Sequence, residues 1–142
     1  MTLNVQDYVG KPRDSKAETQ LANELRKLDA RDVFRFLSEY ADHNQAAALE
    51  LANRVLRQRN QFELLLQRGF EEADPSSIRF WLKCCIPRVG PRRALRLLRE
   101  TASRDINAAR RVFYRTRIAL LREDSSLKVE LEDLAARLKA GE

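Results

Sequence analysis

Asp42, Asp74 and Asp105 stand 32 and 31 residues apart, and the same apolar spacing follows each of them. Four positions on come Ala46, Ile78 and Ala109; seven positions on come Leu49, Trp81 and Val112. Each aspartate sits between two stretches of helical periodicity, in "VFRFLSEYADHNQAAALELANRVL", "FELLLQRGFEEADPSSIRFWLKCCIPRVG" and "RALRLLRETASRDINAARRVFYRTRIAL". Self-similarity at one period is a severe constraint. A lone helix pair cannot bury its own apolar face, so such pairs must stack and share a core. The pattern predicts an all-α fold with repeats over about 31–59, 60–90 and 91–122. These lie in a single α-helical domain, 15–142, which a C-terminal helix over 126–140 caps. Residues 1–14 read as a flexible arm.

Helices are predicted near 15–28, 31–41, 44–58, 61–73, 76–86, 91–103, 105–122 and 126–140. The breaks carry helix punctuation: Asp29, "DHN" at 42–44, Asn60, "DPSS" at 74–77, Gly90-Pro91 and "EDSS" at 123–126. Pro75 and Pro91 stand where a first-turn proline is tolerated, and Gly90 where a helix stops. Four glycines and four prolines in 142 residues suit long helices better than tight turns.

Several function classes fall away early. No apolar run approaches the ~20 residues of a membrane span, and "MTLNVQDYVGKPRD" has no apolar core of a secretory signal. A cytoplasmic location is expected. The only cysteines, Cys84 and Cys85, are adjacent, and vicinal pairs seldom bridge; they read as small buried hydrophobes in a reducing compartment. One histidine, His43, makes no zinc spacing with them. There is no nucleophile–histidine–acid set, no glycine-rich phosphate loop and no distinctive carboxylate pair. No metal, cofactor or catalytic residue is expected.

Charge is the informative quantity. Residues 75–122 hold 13 Lys+Arg against two acids, Glu100 and Asp105, a net of +11. Residues 1–74 hold 11 against 13, and residues 123–142 three against six. A basic block therefore lies between acidic flanks. On a helical wheel Arg92, Arg96 and Arg99 share one side of 91–103, with Arg93 at its edge. Arg111, Arg115 and Arg122 make a stripe about 40° wide on 105–122, opposite Ile106, Ala109, Val112, Phe113, Ala119 and Leu120. Arg79 and Lys83 share the polar strip of an otherwise apolar helix. The buried set should include Ile78, Trp81, Leu95, Leu98, Val112 and Phe113. The candidate anion-binding residues are Lys83, Arg88, Arg92, Arg93, Arg96, Arg99, Arg111, Arg115 and Arg122, with Tyr114 placed to stack on a base.

"DPSSIRFWLKCCIPRVG" is similar to the second half of a short HEAT-type repeat: Asp74-Pro75 at the inter-helix turn, Ile78-Arg79 as the apolar-then-Arg pair, Val89-Gly90 at the close. "PRRALRLL" at 91–98 resembles the first helix of the next unit. Arg110 holds the arginine position after Asp105, whereas Ala47 stands there after Asp42. The likeness covers about 31–122. It implies a right-handed α-α superhelix whose second helices line a ligand-binding face, and an Arg79 paired with Asp74 or Asp105. "IPRVGPRRALRLL" also resembles a helix–hairpin–helix motif through Ile86, Pro87, Val89, Gly90, Ala94, Leu97 and Leu98. In that motif backbone N–H groups hold a DNA phosphate, but Arg88 occupies the place of its first glycine. A HEAT-type corner accounts better for the stretch. HEAT-like DNA glycosylases use an acid and aromatics in their groove, for which Asp105 or Glu100 beside Tyr114 would be the stand-ins. The expectation is a non-catalytic binding module with a basic surface for an anionic partner. Nucleic-acid backbone leads, and an acidic protein segment is the alternative.

Overall fold

The computed structural model describes residues 3–9 and 14–140. Among them are eight α-helices, two single-turn 3-10 helices and no strand, so the chain is all-α as the sequence period predicts. It divides into two compact units, residues 1–57 and 58–142.

The first unit holds α1 (Ser15–Arg26), α2 (Ala30–His43) and α3 (Gln45–Val55). α3 packs against both α2 and α1. α2 buries Val33, Phe36, Leu37, Tyr40 and Ala41, an apolar stripe at helical spacing. α3 meets it with small residues, Ala47, Ala48 and Ala52, beside Leu51. Arg26 donates to the Arg54 carbonyl at 2.9 Å, and Arg54 to Thr19 Oγ1 at 3.0 Å, tying α1 to α3. Of the stretch read as an arm, Val5–Asp7 form a 3-10 turn with Val5 buried, and the Tyr8 ring meets Phe36 edge-on at 5.8 Å. Positions 1, 2 and 10–13 lie outside the described residues.

The turn expected at Asp42 falls two residues later. Asp42 belongs to α2, and Asn44 makes the corner. The Asn44 N–H donates to the Tyr40 carbonyl at 2.8 Å, closing α2, while its Oδ1 accepts from the Ala47 N–H at 3.1 Å, opening α3. Only a side chain at the N-cap reaches the free N–H groups of a helix start. Asp105 does the same job in the second unit. Its N–H donates to the Thr101 carbonyl at 2.7 Å, and its carboxylate accepts from Ala108 at 3.1 Å. The two backbones nearly coincide, φ/ψ −154°/91° and −148°/92°.

The second unit runs α4 (Arg59–Glu72), α5 (Ile78–Val89), α6 (Pro91–Arg104), α7 (Ile106–Glu123), a 3-10 turn (Ser125–Leu127) and α8 (Lys128–Ala140). α4 pairs with α5 and α6 with α7. α4 also packs on α6, and α5 on α7, while α8 closes against α7 and α6. The four long helices thus form two layers, α4 with α6 and α5 with α7. Phe62, Leu65, Leu66 and Phe70 meet Ile78, Trp81, Leu95, Leu98, Val112 and Leu120 in the core. Phe113, expected inside, is half-buried. Gly69 of α4 is a seat for Trp81: a Cβ there would lie 2.8 Å from Trp81 Cδ2.

Several helix ends differ from their predicted positions by two or three residues, among them the end of α3 at Val55 and the start of α8 at Lys128. α4 starts at a capping box made by Gln58 and Gln61, so Asn60 sits within its first turn. The stretch from Asp74 curls into α5, with the Asp74 carboxylate accepting from the Ser76 and Ser77 N–H groups. α5 does not stop at 86. It continues through Pro87, which forgoes one backbone bond, to Val89. Gly90 alone separates α5 from α6, at φ +91°, where glycine is favoured. Its N–H donates to the Ile86 carbonyl at 2.8 Å. A phosphate-binding hairpin needs free N–H groups there, and this one is taken. Arg59 adds a bond to the Val89 carbonyl at 2.7 Å. Among the described residues no helix is long and apolar enough to cross a membrane.

Candidate functional site

The basic block folds into two different surroundings, both in the second unit. In the first, between α4 and α6, arginines meet acids. Arg93 pairs with Glu63, whose hydrogen bond holds the guanidinium above its ordinary range. Arg92 lies 3.7 Å from both Asp124 and Glu130 and donates to Ser126 Oγ at 3.1 Å. Arg99 lies 3.6 Å from Glu130. The acidic C-terminal flank is therefore folded back as counter-charge for α6. Arg104 is held by Glu71 at 3.0 Å. Arg96 lines a shallow cleft with Arg59, Asn60, Glu63, Arg92 and Arg93.

In the second surrounding, between α5 and α7, arginines meet apolar side chains. A groove of about 640 Å³ runs between these helices. Phe80, Leu82, Ile86 and Pro87 of α5 and Ile118 and Ala119 of α7 form its floor; Arg79, Lys83, Arg115 and Arg122 stand around it, with Glu123 the single acid in its lining. Among the described residues, none of these four cations lies within ion-pair distance of a carboxylate. Arg79 does not reach Asp74 or Asp105. Its guanidinium covers the Phe80 ring at 4.8 Å. Phe80 and Ile118 remain 38% and 42% exposed, so the floor faces solvent.

Of the expected anion-binding residues, the structure brings Lys83, Arg115 and Arg122 together in this groove. Arg92, Arg93, Arg96 and Arg99 belong to the α4/α6 side. Arg111 shares the stripe of Arg115 and Arg122 on the wheel, but it donates to the Glu71 and Ala73 carbonyls at 2.8 and 3.2 Å. It caps the C-terminus of α4, where a cation suits the helix dipole. Arg110 donates to the Leu138 carbonyl of α8 at 2.7 Å. Arg88 lies over the Phe62 ring at 5.1 Å. Tyr114 is 70% exposed and lines neither cleft.

Phe80 and Ile118 are groove residues that the wheels did not single out, and Arg79, placed with Lys83 on the polar strip of its helix, was expected to pair with an aspartate and not to face a ligand. Ile118 had a usable signal: by the ~100° step it falls within about 20° of Arg111, inside the basic stripe. An isoleucine among arginines on an exposed face marks a mixed surface. Phe80 had none, because α5 carries apolar residues all round.

The groove sets four cations around apolar side chains. Asp105 is committed as a helix cap, and neither Glu100 nor Tyr114 lines the groove. Cys84 and Cys85 are buried thiols. The hydrogen bond to Cys84, with burial, pushes the Cys85 thiol far above its ordinary range, away from thiolate chemistry. No protein-family model, curated protein or solved structure matches the chain.

Proposed function

We propose that the chain is a non-catalytic, HEAT-like helical binding module that takes an anionic partner in the α5/α7 groove. One observation carries this reading. The paired cations of the basic block gather toward α4, α6 and α8, whereas Arg79, Lys83, Arg115 and Arg122 border an open groove without carboxylate partners. Like charges held close raise the local potential, and an anion relieves it. The stacking of α4 on α6 and of α5 on α7 supports the repeat reading, because it is how successive helical hairpins share a core. In such a stack α5 and α7 are the second helices, the pair that the resemblance assigns to ligand binding.

The test is retention on immobilised heparin under a salt gradient. The wild-type chain should be retained, and Arg115→Glu with Arg122→Glu should elute markedly earlier. A wild-type chain that passes straight through at low salt removes the reading.

A nucleic-acid backbone is the second reading, favoured by Tyr114, which is 70% exposed and next to Arg115 in the sequence. Base stacking on an aromatic is worth about 1–3 kcal/mol. Tyr114→Ala should then weaken single-stranded oligonucleotide binding by about tenfold and leave heparin retention alone. An unchanged affinity counts against it.

A further inference from the structure

We infer that the α5/α7 groove receives an acidic amphipathic helix of a partner protein, its apolar stripe on the floor and its carboxylates against the rim. The inference rests on the anionic-partner reading and adds what kind of anion.

Two features of the groove carry it. The first is the arrangement of charge around apolar surface. Ile118 and Ala119 lie between Arg115 and Arg122 on α7, and Phe80, Leu82 and Ile86 lie around Arg79 and Lys83 on α5. A phosphate backbone would satisfy the cations and leave the floor in contact with charge and water. A partner helix with an apolar stripe flanked by glutamates satisfies both. Phe80 and Ile118 keep 38% and 42% of their surface exposed, and covering what remains is worth about 1 kcal/mol each, so the floor is the part of the groove that phosphate cannot use. The Phe80 ring is also an awkward stacking platform, since one face already carries the Arg79 guanidinium.

The second feature is spacing. Arg115 and Arg122 are seven residues apart on α7, about 10 Å along the axis, and Arg79 and Lys83 are four apart on α5, about 6 Å. These are one and two turns of helix. A helix laid between two others presents residues at i, i+3, i+4 and i+7, so glutamates at those steps would come opposite the cations in register.

The experiment uses the full chain and fluorescence anisotropy with five probes. They are a synthetic helical peptide with leucines at i, i+3, i+4 and i+7 flanked by glutamates, the same residues in scrambled order, polyglutamate, and single-stranded and duplex oligonucleotides. The patterned peptide should bind at least about tenfold more tightly than the scramble or polyglutamate, and more tightly than either oligonucleotide. Ile118→Ser, checked for unchanged helicity, should cost the patterned peptide about three- to tenfold and leave heparin retention unchanged. Arg115→Glu should weaken both. Equal binding of patterned and scrambled peptides overturns the inference, as does indifference to Ile118→Ser or preference for an oligonucleotide. In each of those results the anionic-partner reading survives on heparin retention. Failure to bind heparin and every probe removes both.

Discussion

The α4/α6 cleft and the α5/α7 groove are built from the same basic block and reach opposite electrostatic ends. Around α6, Arg92, Arg93 and Arg99 are met by Asp124, Glu130 and Glu63. Around α5 and α7, Arg79, Lys83, Arg115 and Arg122 meet Phe80, Ile86 and Ile118. The charge of a segment therefore overstates the charge it offers to a partner. Part of the +11 is spent inside the unit on acids that come from outside the block, and Arg110 and Arg111 are spent on backbone carbonyls. The cations left without a carboxylate partner around the groove are a smaller set, and they surround apolar surface.

The sharpest way to break this comparison holds net charge constant. Arg115→Glu with Arg122→Glu and Arg92→Glu with Arg99→Glu change the total by the same amount. The first pair should lower heparin affinity by about 10–100-fold. The second should stay within about threefold and cost about 1–3 kcal/mol in stability, since three half-exposed ion pairs are lost and like charges meet in their place. Isothermal titration and urea unfolding of both variants read the two numbers. Equal losses of affinity would mean that the whole block acts as one diffuse charge.

The groove also depends on the rotation of α5, and Gly69 sets it. With Trp81 seated on Gly69, the neighbouring Phe80 and Lys83 turn toward α7. Gly69→Ala puts a methyl against the base of the indole, where no flexible chain end can yield. It should cost about 1–3 kcal/mol by overpacking and weaken groove binding along with stability. The urea midpoint is the readout, and an unchanged midpoint would show that α5 is free to shift.

Much of the fold was legible because helix periodicity and punctuation are local. All eight helices stand close to their predicted positions, and five of the six expected core residues are buried. The errors have physical causes. Asp42 matched the period by residue type, but capping is decided by backbone geometry, which belongs to Asn44. The helix predicted to end at 86 runs on to Val89, because a proline near a helix end forfeits a single bond. The site was harder to read. The wheel gave the direction of each arginine from its own helix and said nothing of what faces it. Glu63 and Glu130 reach the α6 arginines from about 30 residues away in sequence, and that pairing decides which cations are left over.

The corner residues give a smaller effect on the stability of each unit. Asn44→Ala and Asp105→Ala should each cost about 1 kcal/mol through loss of the N-cap bond, and Asp42→Ala should cost less than Asn44→Ala. Arg111→Ala should cost about 0.5–1.5 kcal/mol, since it leaves the Glu71 and Ala73 carbonyls without their donor. Arg115→Ala should stay within about 0.5 kcal/mol. Chemical unfolding of the five variants separates these cases. A stability loss at Arg115 matching that at Arg111 would place both in the structural role and leave the groove with fewer free cations.

The smallest effect is the response to acid, and on the neutralised side it should come through Asp124. Hydrogen bonds from Ser126, with the nearby Arg92 guanidinium, hold the Asp124 carboxyl below its usual range. A carboxylate with a lowered folded pKa contributes stability that is fully present above its unfolded value, near ~3.9. That contribution is lost as the pH falls through the folded pKa. Between neutrality and about pH 4 the wild-type chain should therefore keep this contribution, and below that range it should lose it. Asp124→Asn should be slightly less stable at neutral pH, and the gap to wild type should close as acid is added. None of the four groove cations touches Asp124, so groove variants should run parallel to wild type over the same range. Thermal unfolding at a series of pH values gives the comparison. A constant gap between wild type and Asp124→Asn down to the acid limit would show that the Asp124 contacts do not hold the C-terminal turn against α6.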